Sequence, residues 1–194
     1  MDKSLPFYDI IMKAKMQDWP KPSLKEGYAF KNYEDGDEEA WAKLETSVGE
    51  FDCIDDARAY FAKTFLPYKQ ELYERMFFIV DEKNVVVATA SAWFKDDENR
   101  HYAILHWVST SPHHQGKGLG KAIVGYALHH FPKIENEKEV FLHTQTWSYN
   151  ALGIYARFGF KITQDPLVHY TTDMRCIPVL RQVIPDEMMD NLVE

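Results

Sequence analysis

Hydrophobic and polar residues change their period several times along the chain, and each change predicts a different element. From Gly27 to Asn32 apolar and polar residues alternate, which is typical of a strand. A turn and a helix start follow at Asp37, a candidate N-cap, and apolar residues then recur at helical spacing up to Val48. A second helix is expected from about Asp55 until Pro67 stops it.

The middle of the chain is extended before it returns to helical spacing. Met76 to Asp81, Val85 to Phe94 and Tyr102 to Thr110 are rich in β-branched and aromatic residues, and short turns between them predict antiparallel neighbours. The segments after them read as helix, strand, helix and extended chain, at Leu119–Phe131, Val140–Thr146, Asn150–Phe158 and from Phe160 onward. This order predicts a single α/β domain with a mixed, mostly antiparallel sheet flanked by helices, in which the crossover after Thr110 joins parallel strands.

The two ends of the chain lack this regular pattern. The N-terminal residues carry Pro6, Pro20 and Pro22 among scattered apolar side chains, which predicts an irregular arm with one helical turn near Ile10 to Met16. We therefore expect three segments, an N-terminal arm, a folded domain and a C-terminal tail, over residues 1–26, 27–175 and 176–194.

Composition narrows the classes of function. With 194 residues, 45% of them hydrophobic, the chain can bury a core without disulfides or metal. Thirty acidic residues against twenty-two basic ones give a net charge of −8, which excludes a general nucleic-acid binder and leaves a cationic small molecule or peptide open as a partner.

The cysteines and the apolar runs indicate where the protein works. Cys53 and Cys176 are too few for a disulfide framework and fit a reducing compartment. The first residues lack the apolar stretch of a signal peptide, and the longest nearly apolar run, Val85 to Phe94, is about half of a membrane span. We expect a soluble, cytoplasmic protein with no membrane partner.

The sharpest chemical signal is the run Gln115-Gly116-Lys117-Gly118-Leu119-Gly120, which lies between a predicted strand and a predicted helix. Clustered glycines let backbone N–H groups approach a ligand, and the helix behind them adds unsatisfied donors and a positive dipole end. A Walker loop is excluded because Ala122 follows Gly120-Lys121, and a dinucleotide fingerprint because Lys121 and Ile123 stand where its last glycine belongs. The run therefore predicts another kind of pyrophosphate cradle, the alternative being a helix that merely begins with glycines.

Two segments of the chain are similar to those of a known family. Thr110 to Gly120 resembles the acyl-CoA loop of the GNAT superfamily of N-acetyltransferases. Ala151 to Phe160 is similar to the family's Ala-x-x-x-Tyr-x-x-x-Gly-Phe segment, and one helix and one strand separate the two motifs as in the family. The resemblance covers roughly Gly27 to Thr172 and implies a GNAT-type sheet.

The resemblance implies how acetyl-CoA, the co-substrate, would be held. Backbone amides from Gln115 to Gly120 would hold its pyrophosphate, and the strand near Val108 to Thr110 would bulge away from the next strand so that the pantetheine arm inserts as a pseudo-strand. A backbone amide near Ser109 or Thr110 would polarise the thioester carbonyl. The acetyl-CoA-binding residues implied in this way are Val108, Ser109, Thr110, Gln115, Gly116, Lys117, Gly118, Leu119, Gly120, Lys121, Ser148, Asn150, Ala151 and Tyr155.

The resemblance also implies the group that protonates the leaving thiolate, whereas the base is sought among the histidines because many relatives carry a glutamate there that this sequence lacks. Tyr155 would protonate the departing thiolate, the alternative being a tyrosine that packs against the sheet. His106 is the first candidate for the base and lies on the same face as Val108 and Thr110 if no bulge intervenes. His143 is the second candidate, and either histidine is equally compatible with a hydrogen-bonded core position. Ser148 replaces the family's usual asparagine and can still cap the following helix.

In similar proteins the first two helices, their connection and the facing strands build the acceptor site. The aromatic and acidic residues available there are Trp41, Glu50, Phe51, Asp52, Asp55, Asp56, Tyr60 and Trp93. Such a set suits an amine that arrives as a cation, and the alternative is a plain aromatic core with charges at helix starts. The histidines and cysteines show no metal-ligand spacing, so we expect no metal site.

These observations predict an N-acetyltransferase that transfers acetyl from acetyl-CoA to the primary amine of a small molecule or peptide by direct attack in a ternary complex. No cysteine falls in either motif, which agrees with the absence of a covalent intermediate. The alternatives are a non-catalytic acyl-CoA sensor or partner-binding protein, a longer acyl donor, and a protein N-terminus or lysine as acceptor. Dimers are common among similar proteins, so a homodimer is a further option.

Overall fold

The computed structural model describes residues 2–98 and 100–193, in which strands and helices follow one another in a mixed order. The elements are β1 (Asp9–Lys15), β2 (Tyr28–Asn32), α1 (Glu38–Ser47), α2 (Ile54–Thr64), α3 (Lys69–Arg75), β3 (Met76–Asp81), β4 (Val86–Asp96), β5 (His101–Thr110), α4 (Leu119–Ile134), β6 (Glu139–Gln145), α5 (Tyr149–Ala156), β7 (Lys161–Ile162), α6 (Cys176–Leu180) and α7 (Asp186–Leu192).

The strands form a seven-stranded sheet in the order β2-β3-β4-β5-β6-β1-β7. The pairs β2–β3, β3–β4, β1–β6 and β1–β7 are antiparallel, whereas β5 and β6 run parallel. Helix α4 makes the long connection that a parallel pair requires. The predicted fold class, a mixed and mostly antiparallel sheet flanked by helices, is confirmed, and so is the parallel crossover after Thr110.

The chain divides into two compact units. The cradle unit comprises residues 18–93 and 105–133. Its core contains the fully buried rings of Trp41, Phe61, Phe65 and Phe78, contributed by α1, α2 and β3. Helix α4 belongs to the same unit, and nearly all of its residues from Leu119 to Leu128 are buried, as in a helix that is apolar on nearly all sides.

The terminal unit comprises the described residues of 1–17, 94–104 and 134–194, and β1 lies at its centre. Asp9 to Lys15 pairs with β6 over its whole length, and Met12 also pairs with Ile162 of β7. The expectation of an irregular arm with a helical turn near Ile10 to Met16 is therefore wrong. Three successive residues, from Ile10 to Met12, are fully buried, so both faces of this inner strand are covered.

Three short helices were absent from the sequence prediction. Helix α2 ends just before Pro67, as predicted, and Pro67 lies in a short 3₁₀ turn. Helix α3 then begins directly after this turn, at Lys69. The predicted tail folds into α6 and α7, and Met188 of α7 lies so close to Gly153 of α5 that an added Cβ would meet its sulfur at 3.2 Å. The boundaries at residues 26 and 175 stay a prediction. Within the described residues, no helix has both the length and the apolar character needed to cross a bilayer.

Candidate active site

The glycine loop of the cradle unit is held open by its backbone conformation. After β5 the chain makes a 3₁₀ turn at Pro112–His114 and enters α4 at Leu119. Gly116 and Gly118 adopt φ values of +73° and +82°, a left-handed region that residues other than glycine rarely occupy. A Cβ added at either position would meet no atom within 4 Å, so the loop faces open space.

The backbone amides of this loop are available to a ligand. Among the described residues, the amides of Gln115 to Gly118 donate to no protein acceptor, and the first bond of the helix runs from the amide of Ala122 to the carbonyl of Gly118, at 3.0 Å. The start of α4 adds the positive end of its dipole. Lys117 brings a cation to the loop, with Nζ 2.9 Å from the hydroxyl of Tyr28. These groups fit a pyrophosphate such as that of acetyl-CoA.

Strand β5, which leads into the loop, has a distorted backbone at Trp107. This residue has a φ of 49°, which breaks the alternation of side chains along the strand. Consecutive side chains therefore meet the same layer of rings, with His106 6.2 Å from Phe65 and Trp107 5.1 Å from Trp41 between ring centroids. His106 was expected to share a face with Val108 and Thr110 only if the strand between them were regular, and the distortion at Trp107 shows that it is not. The distortion lies one residue before the segment in which a bulge was expected.

An aromatic cluster, made of Trp41, Phe51, Tyr60, Phe65 and Trp107, covers this part of β5. Trp107 stacks on Phe51 at 5.5 Å and meets Tyr60 edge-on at 5.1 Å. Trp41 and Phe65 are fully buried, whereas the other three rings are only partly buried. The core interpretation therefore holds for Trp41, while Phe51, Tyr60 and Trp107 remain accessible to a ligand at the edge of the cluster.

The acidic residues predicted for the acceptor site lie at the surface. Glu50, Asp52, Asp55 and Asp56 are exposed. Asp55 accepts a hydrogen bond from Arg58 at 2.6 Å, as a charge in the first turn of α2. These carboxylates match the alternative interpretation, in which they are solvated helix-start charges. Trp93 is buried and packs edge-on against the aromatic cluster.

The carboxyl group that does lie inside the cradle unit belongs to Glu45, which sequence reasoning missed. It is fully buried, its Oε2 accepts a hydrogen bond from the hydroxyl of Ser109 at 2.8 Å, and its Oε1 has no hydrogen-bond partner among the described residues. Burial raises its pKa to about 8; the bond from Ser109 opposes this shift and the charge of Glu50 adds to it. The signal was present in the sequence, because Glu45 follows Trp41 by four residues and so shares its face of α1.

The second motif lies in the terminal unit, on and around α5. Tyr155 is 6% exposed, and its ring meets that of Phe160 at 6.2 Å. Asn150 is exposed and Ala151 half-buried in the first turn. Ser148 occupies the N-cap position without capping, because its hydroxyl accepts a bond from Gln145 Nε2 at 3.1 Å. The expected capping role of Ser148 is therefore wrong.

His143 is already engaged within the terminal unit. Its Nε2 lies 2.8 Å from a carboxylate oxygen of Asp9, across the β1–β6 pair. The ring of Tyr170 lies 4.3 Å from its own. These contacts describe a histidine that is held by neighbours on the sheet, and its role as a base stays a prediction.

Comparison with known proteins places the chain in a family. The Acetyltransferase (GNAT) family model matches residues 6–160, well over half of the 194 residues. The chain belongs to the GNAT family of acetyltransferases. The resemblance inferred from two motifs is thereby confirmed, and the family agrees with the predicted enzyme class. The match begins inside the segment that was expected to be an irregular arm, where β1 lies.

Relatives of this GNAT chain differ in length and share little sequence. Human N-acetyltransferase 8B is 30% identical over 96 residues, which cover 48% of this chain and 41% of that protein. A GCN5-related N-acetyltransferase from Sphaerobacter thermophilus superposes with a TM-score of 0.61 at 18% identity, covering 81% of this chain and 49% of the other. Glucosamine-6-phosphate N-acetyltransferase from Arabidopsis thaliana superposes with a TM-score of 0.54 at 18% identity, covering 75% of this chain and 99% of the other. The chain spans half the length or less of the first two.

Proposed function

We propose that this GNAT chain transfers the acetyl group of acetyl-CoA to a primary amine by direct attack in a ternary complex. The observation that carries the proposal is the open glycine loop at the start of α4, whose amides from Gln115 to Gly118 donate to no acceptor in the described part of the chain. Membership of the acetyltransferase family supports acetyl-CoA as the donor.

Each motif has a part in the proposed reaction. The amides of the loop, with Lys117 and Lys121, hold the pyrophosphate, and a backbone amide at Ser109 or Thr110 polarises the thioester carbonyl. The amine nitrogen bonds to the acetyl carbon as the carbon–sulfur bond breaks. Tyr155 then donates its phenolic proton to the thiolate, a role that rests on its place in the second motif.

The attacking amine must also lose a proton. Of the two histidines, His106 is the first candidate to accept it because it lies on β5 next to the distortion at Trp107. His143 is the second candidate, although its bond to Asp9 ties one ring nitrogen to a carboxylate.

The test begins with thermal unfolding, with and without saturating acetyl-CoA. A ligand at about one hundred times its Kd adds roughly 2.7 kcal/mol, and each kcal/mol moves the Tm of a protein of this size by about 2–4 °C. We expect a rise of several degrees that NAD and ATP do not produce. No shift at millimolar acetyl-CoA would make the glycine loop structural and would overturn the proposal.

Turnover is then measured as release of the CoA thiol with a panel of primary amines: 2-phenylethylamine, putrescine, glucosamine 6-phosphate and a peptide with a free N-terminus. We expect thiol release above the rate of hydrolysis with at least one of them, and ordered addition without an acetyl-enzyme. Binding of acetyl-CoA without thiol release from any amine would identify a non-catalytic acyl-CoA sensor instead.

The location we propose is the cytoplasm. Both cysteines are free thiols, Cys53 exposed and Cys176 buried. An exposed thiol is most easily kept reduced in a reducing compartment. Fractionation of cells followed by trapping of free thiols tests this proposal, and an oxidised Cys53 in the native protein would contradict it.

A further inference from the structure

A hydrogen-bonded pair joins α1 to β5 at the place where the proposed function puts the thioester. Ser109 Oγ donates to Glu45 Oε2 at 2.8 Å. Glu45 has no exposed surface at all, whereas Ser109 keeps 8% of its surface exposed. Of the two residues, Ser109 is therefore the one with some surface open to a solute at this point of β5.

The pair is held in register by a second contact. Trp41 precedes Glu45 by one helical turn, and Trp107 precedes Ser109 by two strand residues; their rings lie 5.1 Å apart. Four helical residues and two strand residues both advance by about 6 to 7 Å. Helix α1 thus runs alongside β5, and the buried Trp41 fixes the position of the carboxyl relative to Ser109.

The surroundings of Glu45 favour its protonated form. Buried carboxylates normally satisfy both oxygens, yet Oε1 has no hydrogen-bond partner among the described residues. The groups that act on its charge are the Ser109 hydroxyl on β5 and the carboxylate of Glu50 after α1, with no cation among them. Taking up a proton removes the cost of a buried charge, and a pKa raised to about 8 by burial suits an acceptor that works near neutral pH.

We propose that Glu45 is the final proton acceptor of the acetyl transfer and that Ser109 relays the proton to it, an inference that rests on the proposed function. As the amine nitrogen bonds to the acetyl carbon, its proton passes to Ser109 Oγ. The proton that Ser109 held passes to Glu45 Oε2, which leaves the hydroxyl intact and the carboxyl neutral. The carbon–sulfur bond breaks, and the thiolate takes its own proton from Tyr155.

The relay predicts which pH profile each variant gives. Wild-type kcat, measured at saturating amine so that ionisation of the free amine does not shape the profile, has an acidic limb because Glu45 must be ionised to accept a proton. We expect Glu45→Gln and Ser109→Ala each to lower kcat by about 10²-fold or more while the Kd of acetyl-CoA changes less than about twofold, and Glu45→Gln to remove the acidic limb. Ser109→Thr keeps a hydroxyl and is expected to restore most of the rate.

The experiment uses the full chain with 2-phenylethylamine, or whichever amine of the panel above releases thiol fastest. Ser47→Ala is the matched control, because this serine lies on the same helix and its hydroxyl donates to the Leu44 carbonyl, its only bond within the described residues. Calorimetric titration with acetyl-CoA accompanies every variant, so loss of folding is separated from loss of proton transfer. If Glu45→Gln does not fold, the pair Ser109→Ala and Ser109→Thr decides.

Each outcome supports or overturns the relay. Retention of the acidic limb in Glu45→Gln and its loss in His106→Gln would assign the base to His106 and overturn it. Equal rates in Ser109→Ala and Ser109→Thr would do the same. If the wild type binds no acetyl-CoA or acetylates no amine, the proposed function fails, and the relay fails with it. If the wild type binds and turns over but Glu45→Gln keeps the wild-type pH profile, the relay alone is rejected.

Discussion

Replacing Glu45 by glutamine is expected to change how the free energy of unfolding depends on pH. Burial raises the folded-state pKa of this carboxyl from 4.5 to about 8, so the folded protein keeps a proton that the unfolded chain releases. Unfolding therefore releases a proton between these two values, and the free energy of unfolding falls as pH rises through that window. Glutamine has nearly the same shape and no charge, so the variant lacks this dependence.

The magnitude follows from the width of the window. From about pH 6 to the folded pKa there are about two units, each of about 1.4 kcal/mol, so wild type loses about 3 kcal/mol relative to Glu45→Gln by about pH 9. Urea denaturation of both proteins at a series of pH values measures the difference between the curves. Glu74→Gln, an exposed glutamate on α3, is the control and is expected to follow wild type. Parallel curves for wild type and Glu45→Gln would refute the burial of this carboxyl.

Three further predictions concern the loop, the second motif and a histidine of the terminal unit. Gly118→Val is expected to weaken acetyl-CoA binding at least about tenfold by calorimetry because it strains a left-handed backbone. Gly36→Val strains a similar backbone, with a φ of +98°, in the turn before α1 and is expected to leave the affinity unchanged. Equal affinities of the two variants would contradict the cradle. Tyr155→Phe is expected to lower kcat about 10²-fold with acetyl-CoA affinity intact, and wild-type turnover would remove its role as acid. Burial lowers the pKa of His101, but Asp96 and Glu135 outweigh burial, so the pKa in the folded protein is raised. The protonated histidine therefore stabilises the fold below about pH 6.5, and this contribution is lost as the pH rises through the pKa of the folded state. His101→Asn is expected to flatten the stability curve there, and an unchanged slope would show that the two contacts contribute nothing.

The central strands and the main helices could be predicted because their local pattern agrees with their final surroundings. Strands β3 to β5 are β-branched and aromatic, and α4 repeats apolar residues at helical spacing. The glycine loop was also predictable, because the left-handed backbone at Gly116 and Gly118 requires glycines that are visible in the sequence.

The features that could not be predicted are those whose structure depends on contacts with residues far away in the sequence. Strand β1 has a short apolar run between prolines, and its identity as a strand comes from β6 and β7. Glu45 was missed because a charged residue on a helix is normally solvated, and only the contact with Ser109 shows that this face of α1 is enclosed. Its spacing from Trp41 was the available signal.

The position of β1 between β6 and β7 has a consequence for synthesis of the chain. Asp9 pairs with Gln145 and Met12 with Ile162, so the first strand waits for more than 130 residues before either neighbour exists. At about 5–20 residues per second, the apolar run from Ile10 to Met12 leaves the ribosome on the order of ten seconds before it can be covered. During that time this apolar segment is exposed on the nascent chain, so β1 is the strand that joins the sheet only after both of its neighbours have been made.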